Sequence, residues 1–190
     1  MRLKDKTAII TGGGSGIGLA TARAFCKEGA KVILFGRRKE KLISAADELG
    51  DSVLIVQGDM THNDDLDQLI NKTLNNFKGI DILVNSAGLF NGAPLHEISD
   101  SQWDGIMDIN IRSIFQLTRR VLPIMMAQKS GSIVHISSIL GLIAVPQVAA
   151  YNVSKGALNQ FNRSIAVEYG SYGIRSNSIC PGLIETDMTA

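Results

Sequence analysis

Cysteine is scarce. Cys26 and Cys180 are far apart in a chain of 190 residues, which excludes a disulfide framework, and no apolar leader precedes Leu3. Together these predict a reducing, cytoplasmic setting. No sign of charge dominates. Lys plus Arg is 19 against 18 Asp plus Glu, a net charge of +1, so the chain lacks the field that would attract nucleic acid or an anionic membrane surface. Long apolar runs are missing too. The longest, Ile139 to Ala150, is interrupted by glycine and proline and falls short of the roughly 20 residues that span a bilayer. There is no repeat, low-complexity tract or linker. What is present is 45% apolar residues, 19% charged residues and 19 glycines, enough apolar side chain to bury a core. One domain over residues 1–190 is expected, and collagen, disorder and coiled coil are excluded.

Short runs rich in β-branched residues recur at Thr7 to Thr11, Lys31 to Phe35, Val53 to Val56, Asp81 to Asn85 and Ser132 to Ser137, and each predicts a buried strand. Helical spacing fills the gaps, as in Ile17, Ala20, Thr21, Ala24 and Phe25, or Leu66, Leu69, Ile70, Thr73 and Phe77. A long helix is predicted from about Ser99 to Ala127. It starts on a Ser99-x-x-Gln102 capping pattern and carries Pro123 near its end. A further helix from about Tyr151 to Tyr169 and a weaker sixth strand, Ile174 to Ile179, follow. Continuous apolar strands separated by helices predict a doubly wound α/β fold of the Rossmann type, its parallel sheet covered on both faces.

The first strand leads into TGGGSGIG, with glycines at 12, 16 and 18. A helix N-terminus presents unpaired N–H groups and a partial positive charge, and glycine lets a pyrophosphate approach them. Gly12, Ser15, Gly16, Ile17 and Gly18 are therefore candidates for cofactor binding; a tight turn with no ligand is the competing reading. At the end of the second strand, where an acidic residue would grip a ribose, Gly36 stands instead and Arg37 and Arg38 follow. Two guanidinium groups there favour a 2′-phosphate, hence NADP over NAD, although Lys39, Glu40 and Lys41 extend a charged run that also suits a solvated helix start.

Tyr151 and Lys155 are four residues apart at a helix start and so share a face. A free phenol ionises near pH ~10, and the lysine would lower that value toward a range useful for proton transfer. As a pair on an amphipathic helix they could equally be surface residues. Upstream, His135-Ile136-Ser137-Ser138 places hydroxyls at the C-terminal edge of a strand, where ligands bind in such folds, and Ser138 could hydrogen-bond a substrate carbonyl. A Ser-His-Asp hydrolase lacks its G-x-S-x-G elbow. The histidines His62, His96 and His135 stand in ordinary contexts, with His135 expected to be packed in a strand and no metal site expected.

TGGGSGIG, NSAG at Asn85 to Gly88, Asn110, Ser138, Tyr151, Lys155 and PGLIETDM from Pro181 resemble, in order and spacing, the short-chain dehydrogenase/reductase family over nearly the whole chain. The resemblance implies an NAD(P)-dependent oxidoreductase that moves a hydride between a nicotinamide and a carbonyl or secondary alcohol. Tyr151 would be the general acid or base, Lys155 would hold the nicotinamide ribose, Ser138 would orient the carbonyl, and Asn110 would fix a water in a proton relay. It further implies that Asp59, with Met60, meets the adenine, that Asn85, Ala87 and Gly88 lie beside the adenosine ribose, and that Pro181, Gly182, Ile184 and Thr186 meet the carboxamide. Serine replaces the usual second asparagine of NSAG.

Members of that family usually continue with a lid, a seventh strand and a final helix, so the C-terminal part of the fold is expected to be absent after Ala190. PGLIETDMT resembles 3-oxoacyl-acyl-carrier-protein reductases, which dock an acyl carrier protein through basic residues; Lys129 stands at one such position and Tyr172 at another. The apolar GLIAVPQVAA segment favours a small-molecule substrate with a hydrophobic portion. A homodimer or homotetramer is expected by resemblance. Sugar or polyol dehydrogenases of the same family, and an inactive truncated nucleotide-binding protein, are the alternatives.

Overall fold

The computed structural model describes residues 1–186; Asp187 and Met188 of the PGLIETDM motif lie outside the described residues. Six strands alternate with helices along the chain: β1 (Thr7–Thr11), α1 (Gly16–Lys27), β2 (Lys31–Gly36), α2 (Lys39–Leu49), β3 (Val53–Gln57), α3 (Asn63–Phe77), β4 (Ile82–Asn85), α4 (Asp100–Met107), α5 (Ser113–Gln128), β5 (Gly131–Ile136), α6 (Ala149–Tyr169) and β6 (Ile174–Ile179). All neighbouring strands are parallel, in the order β3-β2-β1-β4-β5-β6. The order reverses between β1 and β4, which opens a crevice at the C-terminal edge of the sheet.

Each central strand feeds two cores. Ile9, Ile33, Leu83 and Ile133 pack with Leu66, Leu117, Val121 and Ile165 on one face, and Ala8, Ile10, Val32 and Leu34 pack with Ala22, Leu42 and Ala45 on the other. Successive side chains of a strand alternate between faces, so a strand buried on both sides must be apolar throughout. This is why the strands read as unbroken runs in the sequence.

Two expectations need correction. The single helix from Ser99 to Ala127 is two helices, α4 and α5, joined by one π-helical turn, Asp108–Arg112. The predicted capping box is present: the Gln102 backbone N–H donates to Ser99 Oγ at 3.2 Å, and the Ser99 N–H donates to Gln102 Oε1 at 2.9 Å. Ile106, Asn110, Ile114, Leu117 and Val121 are all buried, so the extra residue of the turn leaves no gap in the buried stripe and periodicity could not show it. The second correction is the end of β5. The strand stops at Ile136, and Ser137 belongs to the connection that follows, although its N–H still donates to the Ile179 carbonyl.

Candidate active site

Every strand delivers residues to one cavity of about 510 Å3 along the C-terminal edge of the sheet. The β1–α1 turn contributes Gly12, Ser15, Gly16 and Ile17. Gly12 and Gly16 take φ of +66° and +51°, a region side chains avoid, and a Cβ on Gly12 would lie 3.1 Å from the Ala87 backbone. Ser15 caps α1 by position without a side-chain cap bond; its hydroxyl instead accepts from Arg38 Nη2 at 2.9 Å. The amides of the first turn therefore have no side-chain cap, and Gly12 and Gly16 place no Cβ beside them, which fits a bound pyrophosphate.

After β2 and β3 come Arg37, Arg38, Asp59 and Met60. Arg37 Nη1 lies 3.8 Å from Asp59 Oδ2. Burial raises the Asp59 carboxyl, but hydrogen bonds from the Thr61 N–H and hydroxyl, together with Arg37, outweigh it and leave the group below its ordinary range. Lys41 also lines the cavity, so three cationic side chains gather at this end. Sequence reasoning assigned Lys41 to a solvated run. Its spacing one turn from Arg37 and Arg38 was the available signal.

The segment after β4 supplies Ala87 and Gly88, the β5–α6 connection supplies Ser138, α6 supplies Tyr151 and Lys155, and the segment after β6 supplies Pro181, Gly182, Ile184 and Thr186. Phe90, which carries no motif and was missed in the sequence, lines the same space and meets the Tyr151 ring edge-to-face, with centroids 5.0 Å apart.

Three predicted residues are not in the cavity wall. Asn85 is fully buried, and its Nδ2 donates to His135 Nδ1 at 3.2 Å, so its side chain braces β4 against β5. A Cβ on Gly18 would fall 2.4 Å from the Gly12 carbonyl oxygen, so this glycine permits the turn to close against the helix. Asn110 is buried in the π turn with its amide engaged: Oδ1 accepts from the Leu89 N–H at 2.8 Å, and Nδ2 donates to the Leu89 carbonyl at 2.9 Å and to Ser154 Oγ at 3.0 Å.

The polar end of the cavity has a definite electrostatic state. Lys155 is 4% exposed, and its ammonium donates to the Ile136 carbonyl at 2.9 Å. Burial brings its pKa down to about 8, with the Cys180 sulfur acting in the opposite sense. Tyr151 departs from the expectation: burial raises its phenol above the ordinary value, and a hydrogen bond from the Ser138 hydroxyl only partly offsets this. Ser138 Oγ itself accepts from the Leu140 N–H at 3.1 Å, which leaves its proton for an oxygen in the cavity. Ser137 is held elsewhere, donating to the Lys155 carbonyl. His135 is fully buried and pushed down to about 4, chiefly by burial and secondarily by the Lys155 charge. It packs against Phe161 at 5.9 Å, as a strand residue.

Among the described residues no cluster of His, Cys, Asp or Glu could hold a metal ion, and no helix is long and apolar enough to cross a membrane. Residues 6–190 match the model of the short chain dehydrogenase family. The chain is 38% identical to an uncharacterised oxidoreductase of Staphylococcus aureus over 189 residues, 99% of this chain and 82% of that one. It is 41% identical to 2-(R)-hydroxypropyl-CoM dehydrogenase of Xanthobacter autotrophicus over 192 residues, 97% of this chain and 77% of that one. The structure superposes on a 3-ketoacyl-(acyl-carrier-protein) reductase of Brucella melitensis, solved with NADH, with a TM-score of 0.96 at 30% identity, covering 98% of this chain and 79% of that one.

Proposed function

This chain belongs to the short chain dehydrogenase family, and from that premise we propose that it interconverts a carbonyl compound and its secondary alcohol with a nicotinamide coenzyme, Tyr151 moving the proton. The observation that carries this reading is the meeting of Tyr151, Ser138 and Lys155 in the cavity whose far end holds the glycine turn and three cations. A coenzyme bound along the cavity supplies the hydride in reduction and accepts it in oxidation. In reduction, the Tyr151 hydroxyl gives its proton to the carbonyl oxygen while Ser138 donates a hydrogen bond to the same oxygen, so that an alcohol leaves and the phenolate takes a proton back from solvent. Lys155 and the Ser138 hydroxyl stabilise that phenolate. Asn110 acts as a positioning residue by tying Leu89 to Ser154, and so the cavity rim to α6.

NADP is the proposed coenzyme, since β2 ends on Gly36 in place of an acidic residue and Arg37, Arg38 and Lys41 outnumber the one nearby carboxylate, Asp59. NAD is the second reading, supported by the NADH in the Brucella structure. For the substrate, a 3-oxoacyl thioester is a narrower reading that the same neighbour supports; Lys129 suits a docked acyl carrier protein, and Tyr172 at the second position does not. We further infer a homodimer, with Phe115 and Val153 exposed at 43% and 47% on helices α5 and α6.

The test is absorbance of NADPH in the presence of a panel of neutral ketones. The reading expects coenzyme oxidation that depends on the ketone. Tight NADPH binding with no oxidation by any member of the panel would support the inactive nucleotide-binding alternative.

A further inference from the structure

Two loops frame the mouth of the cavity above Tyr151, one after β4 and one between β5 and α6. The parts nearest the cavity are uncharged: residues 86–95 and 137–148 contain no Lys, Arg, His, Asp or Glu, and His96 and Glu97 follow farther along the first loop, paired with each other at 3.6 Å. Phe90 lies in the first, lines the cavity and is 43% exposed, so part of its ring is open to a bound molecule.

Its position is fixed from both sides. One residue before it, both backbone groups of Leu89 are held by the Asn110 amide. Three residues after it, Ala93 forms a parallel β-bridge with Val148, and a Cβ on the intervening Gly92 would lie 2.9 Å from the Gln147 carbonyl oxygen. Gln147 is held at φ +66°, a strained value for a non-glycine residue. The bridge joins the Phe90 loop to the connection on which Leu142, Ile143 and Val145 are exposed at 62%, 55% and 40%. Asn110 also donates to Ser154, whose hydroxyl donates to the Tyr151 carbonyl, so the network that holds Phe90 holds the start of α6 as well.

We propose that Phe90 is a specificity-determining residue, its ring forming an apolar wall beside the Tyr151 phenol that selects carbonyl compounds bearing a neutral alkyl or aryl arm over small hydroxylated or anionic ones. The inference rests on the carbonyl-reductase reading. A rigid ring loses little freedom on binding, and an apolar arm placed on it removes from water both its own surface and that of Phe90. A carboxylate, sulfonate or phosphate would find no cation among residues 86–95 or 137–148 and would lose hydration without compensation there.

The experiment measures binding of acetophenone and of hydroxyacetone to the full chain loaded with NADP, by calorimetry, for the parent, Phe90→Ala and Phe90→Leu. The parent should bind acetophenone at least about tenfold more tightly than hydroxyacetone. Phe90→Ala should bring the two within about threefold by weakening acetophenone alone, and Phe90→Leu, which keeps an apolar wall, should hold an intermediate ratio. NADP affinity should be the same in all three. A parent with no preference, or a preference that survives in Phe90→Ala, overturns the proposal. If the preference behaves as expected while NADPH is never oxidised, Phe90 stands and the redox reading alone falls.

Discussion

Lys155 Nζ lies 5.5 Å from the centroid of the Tyr151 ring and donates to the Ile136 carbonyl. The cation faces the π cloud of the phenol and is held there by the end of β5. With burial dominating, the coenzyme-free protein keeps Tyr151 above its ordinary pKa while Lys155 falls to about 8. Burial, and not the nearby ammonium, sets the direction of the phenol's shift.

From this follows a pH prediction with a definite sign. Alcohol oxidation needs the phenolate and should rise with pH; ketone reduction needs the phenol and should fall. Lys155 is a cation only below about pH 8, so where the inflections fall in that range Lys155→Met should move both upward by roughly one pH unit or more. The pH dependence of kcat/KM in each direction checks this, and coincident profiles for parent and variant would place the activating charge elsewhere.

Acid stability should depend on His135. Asn85, His135 and Ser178 stand at one register across β4, β5 and β6, with Asn85 Oδ1, His135 Nε2 and Ser178 Oγ unpartnered among the described residues. The folded-state pKa of His135 is about 4 against 6.5 when free. The unfolded chain therefore takes up a proton that the folded chain refuses, and stability present above pH 6.5 is lost progressively as pH falls toward 4. The loss should be on the order of 3 kcal/mol. Urea unfolding across this window should show a shallower slope in His135→Leu; an unchanged slope would mean that other groups carry the acid sensitivity.

Much of the architecture was legible because physics wrote it redundantly. Ile9 and Ile10 face opposite cores, so β1 had to be apolar at every position. Tyr151 and Lys155 could be paired from their spacing, and the glycine turn from its place after a strand. Long-range geometry was not legible. Nothing local told that Asn85 would turn to His135, because that contact depends on the register of two strands 50 residues apart. Phe90 was invisible for a related reason: its significance comes from meeting Tyr151, far along the chain. The direction of the Tyr151 shift escaped because spacing reveals the nearby lysine and not the depth of burial.

Coenzyme choice can be tested at Arg37. Its guanidinium is mostly exposed and only 3.8 Å from Asp59, so solvent screens much of its effect. Arg37→Ala should weaken NADPH binding by about tenfold, the scale of one partly exposed charge-assisted contact. NADH binding should change by less than roughly twofold. Fluorescence titration with both coenzymes measures the difference, and equal losses would remove the argument for a 2′-phosphate site.

The most direct measurement is the rate of ketone reduction by Tyr151→Phe, which deletes one oxygen and leaves the ring against Phe90. With a substrate that the parent reduces, turnover should fall by about 10²–10⁴-fold, while NADPH binding stays within about twofold of the parent. A variant that reduces the ketone at the parental rate would show that the proton comes from another group, and the assignment of Tyr151 would be wrong.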